Sequence, residues 1–371
     1  MYSLIRKLLF QLDAERAHHL SLSAMRWAGQ TPIMRTMLQK WYAMQHPCLE
    51  TNAFGLHFAN PVGLAAGYDK NGIAAQGLAA LGFGHVEIGT LTRLPQIGNP
   101  KPRLYRVIKS NAIINSLGFP NEGVEAFLAR AKSQESRIQT QPSTLNPQRF
   151  VQGINIGKGK DTPIERAAED YVALLRQVAP YANYVTVNIS SPNTLGLRQL
   201  QAREMIEGLL KAVMAERQTL AVTSGQRPVP ILVKIAPDLT SDELDDVLAA
   251  IMTAEADGVI ATNTTIGRLD IPKSFVALKG GLSGRPLRYL STEMIRLIYK
   301  RTNGQLPIIG VGGIDNADAA IEKIRAGASL VQVYTGMVFT GPSLAKQINR
   351  GLIHECKQLG LKNVVELRGR D

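Results

Sequence analysis

Eight short apolar runs, each ending in small or polar residues and followed by a helical pattern, constrain this chain more than any other feature. They are PVGLAAG (61–67), HVEIGT (85–90), VQGINIG (151–157), YVTVNIS (184–190), ILVKIAP (231–237), GVIATNT (258–264), PIIGVGG (307–313) and LVQVYTG (330–336). Continuous apolar strands suit a parallel sheet covered on both faces, and the intervening helices supply the cover. Eight such units in about 300 residues point to a closed α/β barrel of the (β/α)8 kind. An open doubly wound sheet is the rival. None of these turns has the G-x-G-x-x-G spacing with a downstream acid that such sheets use for dinucleotides. The 371 residues, 45% of them hydrophobic, allow one large barrel plus a small extra module.

Residues 1–45 break the rhythm and form that module, leaving 46–371 for the barrel. Leu4, Ile5, Leu8, Leu9 and Leu12 recur at helical spacing, then Leu20, Ala24 and Trp27, then Met34, Met37, Leu38 and Trp41. Two or three short amphipathic helices are expected, with Asp13 capping the second and a linker around Pro47. No apolar run reaches the ~18 residues of a membrane span. Asp13, Glu15 and Arg16 cut the first run, so neither a signal peptide nor a transmembrane anchor is expected. Arg6, Lys7, Arg16, Arg26, Arg35 and Lys40 against Asp13 and Glu15 leave a local charge of 6 − 2 = +4. Basic amphipathic helices of this kind lie in a membrane interface, although a plain helical cap on the barrel would share the pattern. As a separable module, 1–45 should be removable without loss of the barrel's own chemistry. Three stretches read as loops. Residues 131–149 form a polar, mobile segment, 219–229 precede the fifth strand, and 266–283 form a long βα loop placed to act as a lid.

The net charge of +12 leaves several partners open. No Lys/Arg block exceeds two residues and no nucleic-acid-binding signature occurs, so nucleic acid is not expected as a partner. Cys48 and Cys356 stand far apart in sequence without metal spacing, which argues against a disulfide and for a reducing compartment.

Residues at the carboxyl ends of barrel strands converge on one mouth, where such barrels carry their chemistry. Here they are Asp69 and Lys70, Thr90, Asn155, Asn188 with Ser190, Ser191 and Asn193, Lys234, Thr262 with Asn263 and Thr264, Gly312 and Gly313, and Tyr334 with Thr335 and Gly336. No metal-ligand cluster, carboxylate pair or G-x-S-x-G occurs among them, so metal catalysis, glycoside hydrolysis and triad chemistry are not expected. Two lysines and four asparagines suit a planar heterocycle with alternating N–H and C=O groups, such as a flavin or a pyrimidine. A lysine can balance a carboxylate or the charge on a reduced ring. Glycines after strands seven and eight suit a phosphate. Singly, a strand-end asparagine is a turn former, Ser191 a helix cap and Gly312–Gly313 a tight turn; four amides on one rim favour the ligand reading.

The segments NPVGLAAGYDKNG, EIGTLTRLPQIGNPKPRLYR, INSLGFPNEG, GINIGKGKDT, YVTVNISSPNTLGLR, VKIAPD, IATNTT, GGLSGRPL, PIIGVGGI and VQVYTGMVF, in this order from about residue 53 to 355, resemble the dihydroorotate dehydrogenase family. LFQLDAERAHHL resembles the helical extension of its quinone-linked, membrane-associated (class 2) branch. The resemblance implies FMN as cofactor and oxidation of dihydroorotate to orotate in pyrimidine biosynthesis. It further implies a membrane quinone as final acceptor and a peripheral place on the membrane, on the cytoplasmic face if the chain is bacterial. Carried over by motif, Ala66, Gly67, Thr90, Asn155, Asn188, Lys234, Thr262, Gly284, Gly313, Tyr334 and Thr335 would hold FMN. Lys70, Asn115, Ser116, Leu117, Gly118, Phe119, Asn188, Asn193, Asn263 and Thr264 would hold orotate. Ser191 in SSPN would be the base, where cytosolic relatives use a cysteine. Thr194 would relay its proton, Phe119 would gate the site, and His18, Arg106 and Tyr334 would face the quinone. Ser116 stands where many relatives carry a basic residue. Rival readings are a soluble-acceptor enzyme of the same family, a tRNA dihydrouridine reductase, and a non-enzymatic flavin- or lipid-binding scaffold.

Overall fold

The structure is a computed structural model describing residues 2–139 and 150–371. Helices α1 (Tyr2–Gln11), α2 (Ala14–Gln30) and α3 (Pro32–Tyr42) open the chain. The hairpin β1 (Thr51–Ala53) and β2 (Leu56–Phe58) leads to β3 (Val62–Leu64), α4 (Ala75–Ala79), β4 (His85–Leu91), β5 (Leu104–Val107), β6 (Ala112–Asn115) and α5 (Gly123–Gln139). Next come β7 (Val151–Ile156), α6 (Ala167–Val178), β8 (Tyr184–Asn188), α7 (Arg203–Ser224), β9 (Ile231–Ile235), α8 (Ser241–Thr253) and β10 (Gly258–Ala261). The last are β11 (Gly281–Gly284), α9 (Arg288–Arg301), β12 (Ile308–Val311), α10 (Ala317–Arg325), β13 (Leu330–Val333), α11 (Thr335–Thr340) and α12 (Leu344–Gln358).

All eight apolar runs are strands of one closed parallel barrel, ordered β3-β4-β7-β8-β9-β10-β12-β13 and back to β3. Every residue of β4, β8 and β9 is buried, because one face meets the barrel interior and the other the helices. The hairpin β1–β2 plugs the amino end. Phe54 and Phe58 pack against Val151, Tyr184, Leu232, Ile260, Ile309 and Leu330. At the carboxyl end, β5, β6 and β11 form an antiparallel sheet that the apolar periodicity did not announce.

Two loop expectations are corrected. Helix α7 runs through Ser224, taking in half of 219–229, and ends only where Gly225 adopts φ +64°. No breaker precedes that glycine, and polar Thr219, Thr223 and Ser224 are tolerated on an exposed face. Likewise α5 continues to Gln139, so 131–139 is helical, while 140–149 lie outside the described residues. The 266–283 loop is tied to itself and to the roof. Arg268 donates to the carbonyls of Ile266, Gly267, Leu278 and Gly280, and Gly281–Ser283 already belong to β11, paired with β6.

The amino-terminal helices form as the spacing predicts. Asp13 caps α2 by accepting from the Glu15 and Arg16 amides, each at 3.0 Å. Helix α1 buries none of its residues; Tyr2 and Arg6 fasten it by donating to the carbonyls of Val338 and Phe339 at 2.6 and 2.7 Å. Helix α2 crosses α4 closely: a Cβ on Gly77 would fall 1.9 Å from the Met25 carbonyl oxygen. The module is less separable than its sequence suggests. Glu15 pairs with buried Arg103 of the barrel at 2.6 Å, and Arg103 also donates to the carbonyls of Ile97 and Asn99. Arg35, counted above as basic surface, is buried and donates to Gln76 at 3.1 Å. Cys48 and Cys356 are buried free thiols that meet in space, the first in the linker and the second on α12.

Candidate active site

A cleft of about 1090 Å³ opens between the carboxyl ends of the barrel strands and the β5–β6–β11 sheet. Ala66, Gly67, Lys70, Thr90, Asn115, Leu117, Gly118, Phe119, Asn188, Ser191, Asn193, Lys234, Thr262, Asn263, Thr264, Gly284, Gly313, Tyr334 and Thr335 all line it. Sequence reasoning thus brought nineteen separate residues to one place. The roof adds Leu104, Ile113 and Ser283, which it did not name.

A network of amides fixes the barrel end of the cleft. Thr90 Oγ1 donates to Asn155 Oδ1 at 2.6 Å, and Asn188 Nδ2 donates to both, at 3.0 and 3.1 Å. Asn263 Nδ2 donates to Asn188 Oδ1 at 3.3 Å and to Ser190 Oγ at 3.0 Å. Asn155 does not line the cleft; it orients Thr90 and Asn188 from below and donates to Glu87 Oε1 at 2.8 Å. Lys234 Nζ lies 4.0 Å from the same oxygen. Burial lowers the Lys234 pKa and the Glu87 charge opposes that shift. Glu87, fully buried, is a residue the sequence reading missed. Its signal was a lone acid inside the apolar run HVEIGT.

The serine loop is held from several sides. Ser191 lines the cleft, and its Oγ accepts the Asn193 amide at 3.3 Å. Asn193 Nδ2 donates to Asn115 Oδ1 at 3.0 Å, and Asn99 Nδ2 donates to the carbonyls of Asn193 and Ser116 at 3.1 and 2.9 Å. Arg198 ties the carbonyls of Ser190 and Thr264 to Asp238. Asn99, Arg198 and Asp238 carried no sequence signal, since they act through bonds between distant segments. The Thr194 hydroxyl is buried without a hydrogen-bond partner, close in sequence to Ser191 but outside the cleft lining. Ser116 also lies outside the lining; its amide donates to the Arg103 carbonyl at 2.9 Å. Phe119, at φ +55°, is held by Gln96 and Asn121 on its carbonyl, and its ring edge would meet a Cβ on Gly157 at 3.0 Å.

Lys70 donates to the Gly67 carbonyl at 2.7 Å, and burial pulls its pKa down to about 8. His18 of α2 is outside the lining, but its ring packs on Tyr68 at 5.0 Å, and Tyr68 packs on Tyr334 at 5.5 Å. This ladder joins the amino-terminal helices to the cleft. Burial, with help from the Lys70 charge, pulls His18 down to about 3, so the imidazole is neutral. Arg106 is likewise outside the lining and grips the end of α1. It donates to the carbonyls of Leu9 and Leu12 and stacks on Phe10 at 4.7 Å.

The donor set fits a flavin with a phosphate tail. Carbonyl- and N–H-matching amides and a lysine sit at the barrel end. Gly313 (φ +73°) follows the seventh barrel strand and Thr335 the eighth, where barrels bind phosphate. A Cβ on Gly313 would sit 2.4 Å from Arg288 Cα, so only glycine brings the backbone there. Among the described residues, no group of three or more His, Cys, Asp or Glu side chains is arranged to hold a metal ion.

The comparisons agree with this geometry. Residues 48–356 match the family model described as dihydroorotate dehydrogenase. The chain is 46% identical over 369 residues to a dihydroorotate dehydrogenase (quinone) of Roseiflexus sp. (strain RS-1), covering 100% of this chain and 98% of the relative. It is 50% identical over 366 residues to the protein of that name from Acidithiobacillus ferrooxidans, covering 98% and 96%. The crystal structure of ligand-free DHODH from Eimeria tenella superposes with a TM-score of 0.82 at 40% identity, covering 92% of this chain and 98% of that one. A (β/α)8 barrel with this cleft, matched over nearly its whole length by relatives of one description, belongs to the dihydroorotate dehydrogenase family, in its quinone-dependent branch.

Proposed function

We propose that this chain oxidises dihydroorotate to orotate in pyrimidine biosynthesis, with FMN as first and a membrane quinone as final electron acceptor. The observation that carries this reading is one cleft lined by Lys70, the amides of Asn115, Asn193 and Asn263, and the hydroxyl of Ser191. That set complements a carboxylated pyrimidine ring and supplies one group able to take a proton from it. When bound, FMN supplies a ring that accepts two electrons from the substrate and passes them on.

The chain's own residues then have separable tasks. Lys70 would pair with the substrate carboxylate, and Asn115, Asn188, Asn193, Asn263 and Thr264 would bond the ring edges. The backbone from Ser116 through Leu117 and Gly118 to Phe119 would close over it, and the Phe119 ring would exclude water. Ser191 would remove the C5 proton. A serine is a weak base, so the Asn193 amide on its Oγ matters. Thr194, whose hydroxyl is buried without a partner, would pass the proton on. Ala66, Gly67, Thr90, Asn188, Lys234 and Thr262 would hold the cofactor's ring side, with Asn155 fixing two of them. Gly284, Gly313, Tyr334 and Thr335 would hold the rest.

The quinone would approach along the His18–Tyr68–Tyr334 ladder, with Arg106 keeping α1 in place. Membrane contact is supported by Leu4 and Leu8, each 67% exposed, and by Trp27 and Trp41, each 60% exposed. No described helix is long and apolar enough to cross a membrane. The proposed attachment is peripheral, resting on those exposed apolar residues, and on the cytoplasmic face if the chain is bacterial. The deciding experiment is anaerobic. Dihydroorotate added to the yellow protein should bleach the flavin bands and yield orotate in equal amount; bands that persist would rule out this activity.

A further inference from the structure

Glu87 is a fully buried acid inside the barrel that the reading above leaves without a task. It sits at the middle of β4 with no exposure to solvent. Oε1 accepts from Asn155 Nδ2 at 2.8 Å and faces Lys234 Nζ at 4.0 Å. Oε2 accepts from Tyr184 Oη at 3.1 Å and from Gln332 Nε2 at 3.0 Å. Asn155 Nδ2 and Gln332 Nε2 donate to the carboxyl and Lys234 Nζ faces it, while Gln332 Oε1 stays buried without a partner of its own. Tyr184 accepts from Gln332 at 3.3 Å and spends its own proton on Glu87. A protonated carboxyl would need an acceptor, and the surroundings supply donors, so the pocket is built for the carboxylate. A carboxylate this deep needs a cation, and Lys234 is the cation beside it.

The pair is oriented. Lys234 lines the cleft and Glu87 does not, so a ligand at the barrel end meets the positive member. The other ionisable groups nearby bring no charge: burial and Glu87 push the Tyr184 phenol well above its usual value, and burial pulls His85 down to about 3. Strand β10, on the far side of Lys234, has no ionisable residue. We propose that Glu87 is a positioning residue that keeps Lys234 cationic within the barrel, and that the oriented pair thereby sets the reduction potential of the flavin bound at its mouth. The proposal rests on the flavin reading above. Two-electron reduction places negative charge on a flavin, and a fixed cation at its edge favours the reduced form. Without Glu87, Lys234 is a buried amine with nothing to hold its proton. It then releases the proton when the flavin is oxidised and recovers it on reduction.

The test measures the potential of the bound flavin against pH, by equilibration with a redox dye, for the wild type, Glu87→Gln, and the double variant Glu87→Gln with Lys234→Met. The wild type should show no upward change of slope across neutral pH. Glu87→Gln should show a segment that steepens as pH rises, by one extra proton per two electrons, about 30 mV per pH unit. A flavin's own ionisation on reduction bends the line the other way, so the two are distinguishable. The double variant removes both charges and leaves no titrating amine. At fixed potential its ratio of reduced to oxidised flavin should fall at least tenfold, with no steepening. A Glu87→Gln line parallel to the wild type, or a double variant at the wild-type potential, overturns the proposal. If Glu87→Gln fails to fold, the double variant and the wild-type line still decide, since a steepening in the wild type is equally fatal. A folded protein that binds no flavin would instead overturn the cofactor reading, and this proposal with it.

Discussion

At the scale of single residues, the site works by setting charge states through burial. Lys70 is the sharpest case. Its pKa of about 8 leaves it cationic below that pH and neutral above. Affinity for the orotate anion should therefore hold up to about pH 8 and then fall by up to tenfold per pH unit, read by titrating the flavin spectrum with orotate. Lys70→Met should bind orotate weakly at every pH and lose the dependence; a variant with the wild-type profile would remove Lys70 from the carboxylate. Ser191→Ala should keep its yellow colour yet slow dihydroorotate-driven flavin reduction by roughly 10²–10⁴-fold, the usual worth of a general base. Stopped-flow reduction at the wild-type rate would take the base away from Ser191. His18 makes a contrasting point. Held neutral, it can offer a quinone a hydrogen bond but no charge.

Among elements, the contact between α2 and the loop before β5 matters most, because it joins two regions the sequence keeps apart. Glu15 feels desolvation first, which raises its pKa, but the hydrogen bonds and charge of Arg103, with Lys101, outweigh it and hold the carboxyl below its usual range. The unfolded chain therefore binds more protons here, so the stability from this pair is full only above the unfolded carboxyl's value of about 4.5 and drains away as pH falls through the lowered native value. Glu15→Ala strands a buried guanidinium and should cost about 3 kcal/mol in denaturant unfolding. It should also slow dihydroorotate-driven flavin reduction. Arg103 holds the Asn99 carbonyl, and the Asn99 side chain holds the serine loop. A stable variant with unchanged reduction would cut that link. Such links explain what the sequence could show. The barrel strands were legible because a strand buried on both faces must be apolar throughout, and the rim residues followed from strand ends. The roof was not, because β5, β6 and β11 are four residues each and bond mainly to one another. Asn99 and Arg198 are positioned by partners many residues away, which no local pattern records.

For the whole molecule, the amino-terminal helices divide their apolar residues between two surfaces. Met25, Leu38 and Tyr42 pack on the barrel's core, while Leu4, Ile5, Leu8, Trp27, Ile33 and Trp41 face outward. Lys7, Arg16, Arg26 and Lys40 are exposed near them. Leu4→Asp with Leu8→Asp should leave folding and dihydroorotate-driven flavin reduction intact, release the protein from anionic vesicles, and abolish turnover with long-tailed quinones. Full flotation with vesicles in that variant would move the membrane contact elsewhere. Removal of residues 1–45 is a poorer test than the sequence suggested, since it takes Glu15 with it. The hairpin plug at the amino end has a wider consequence. With Phe54 and Phe58 stoppering the strands, the polar column of Glu87, Tyr184 and Gln332 has its opening toward the cleft. The barrel is then a bottle with one neck. When a cofactor fills the neck, protons reach or leave that column only past the cofactor, so their exchange with solvent is slowed, not stopped, while it is bound.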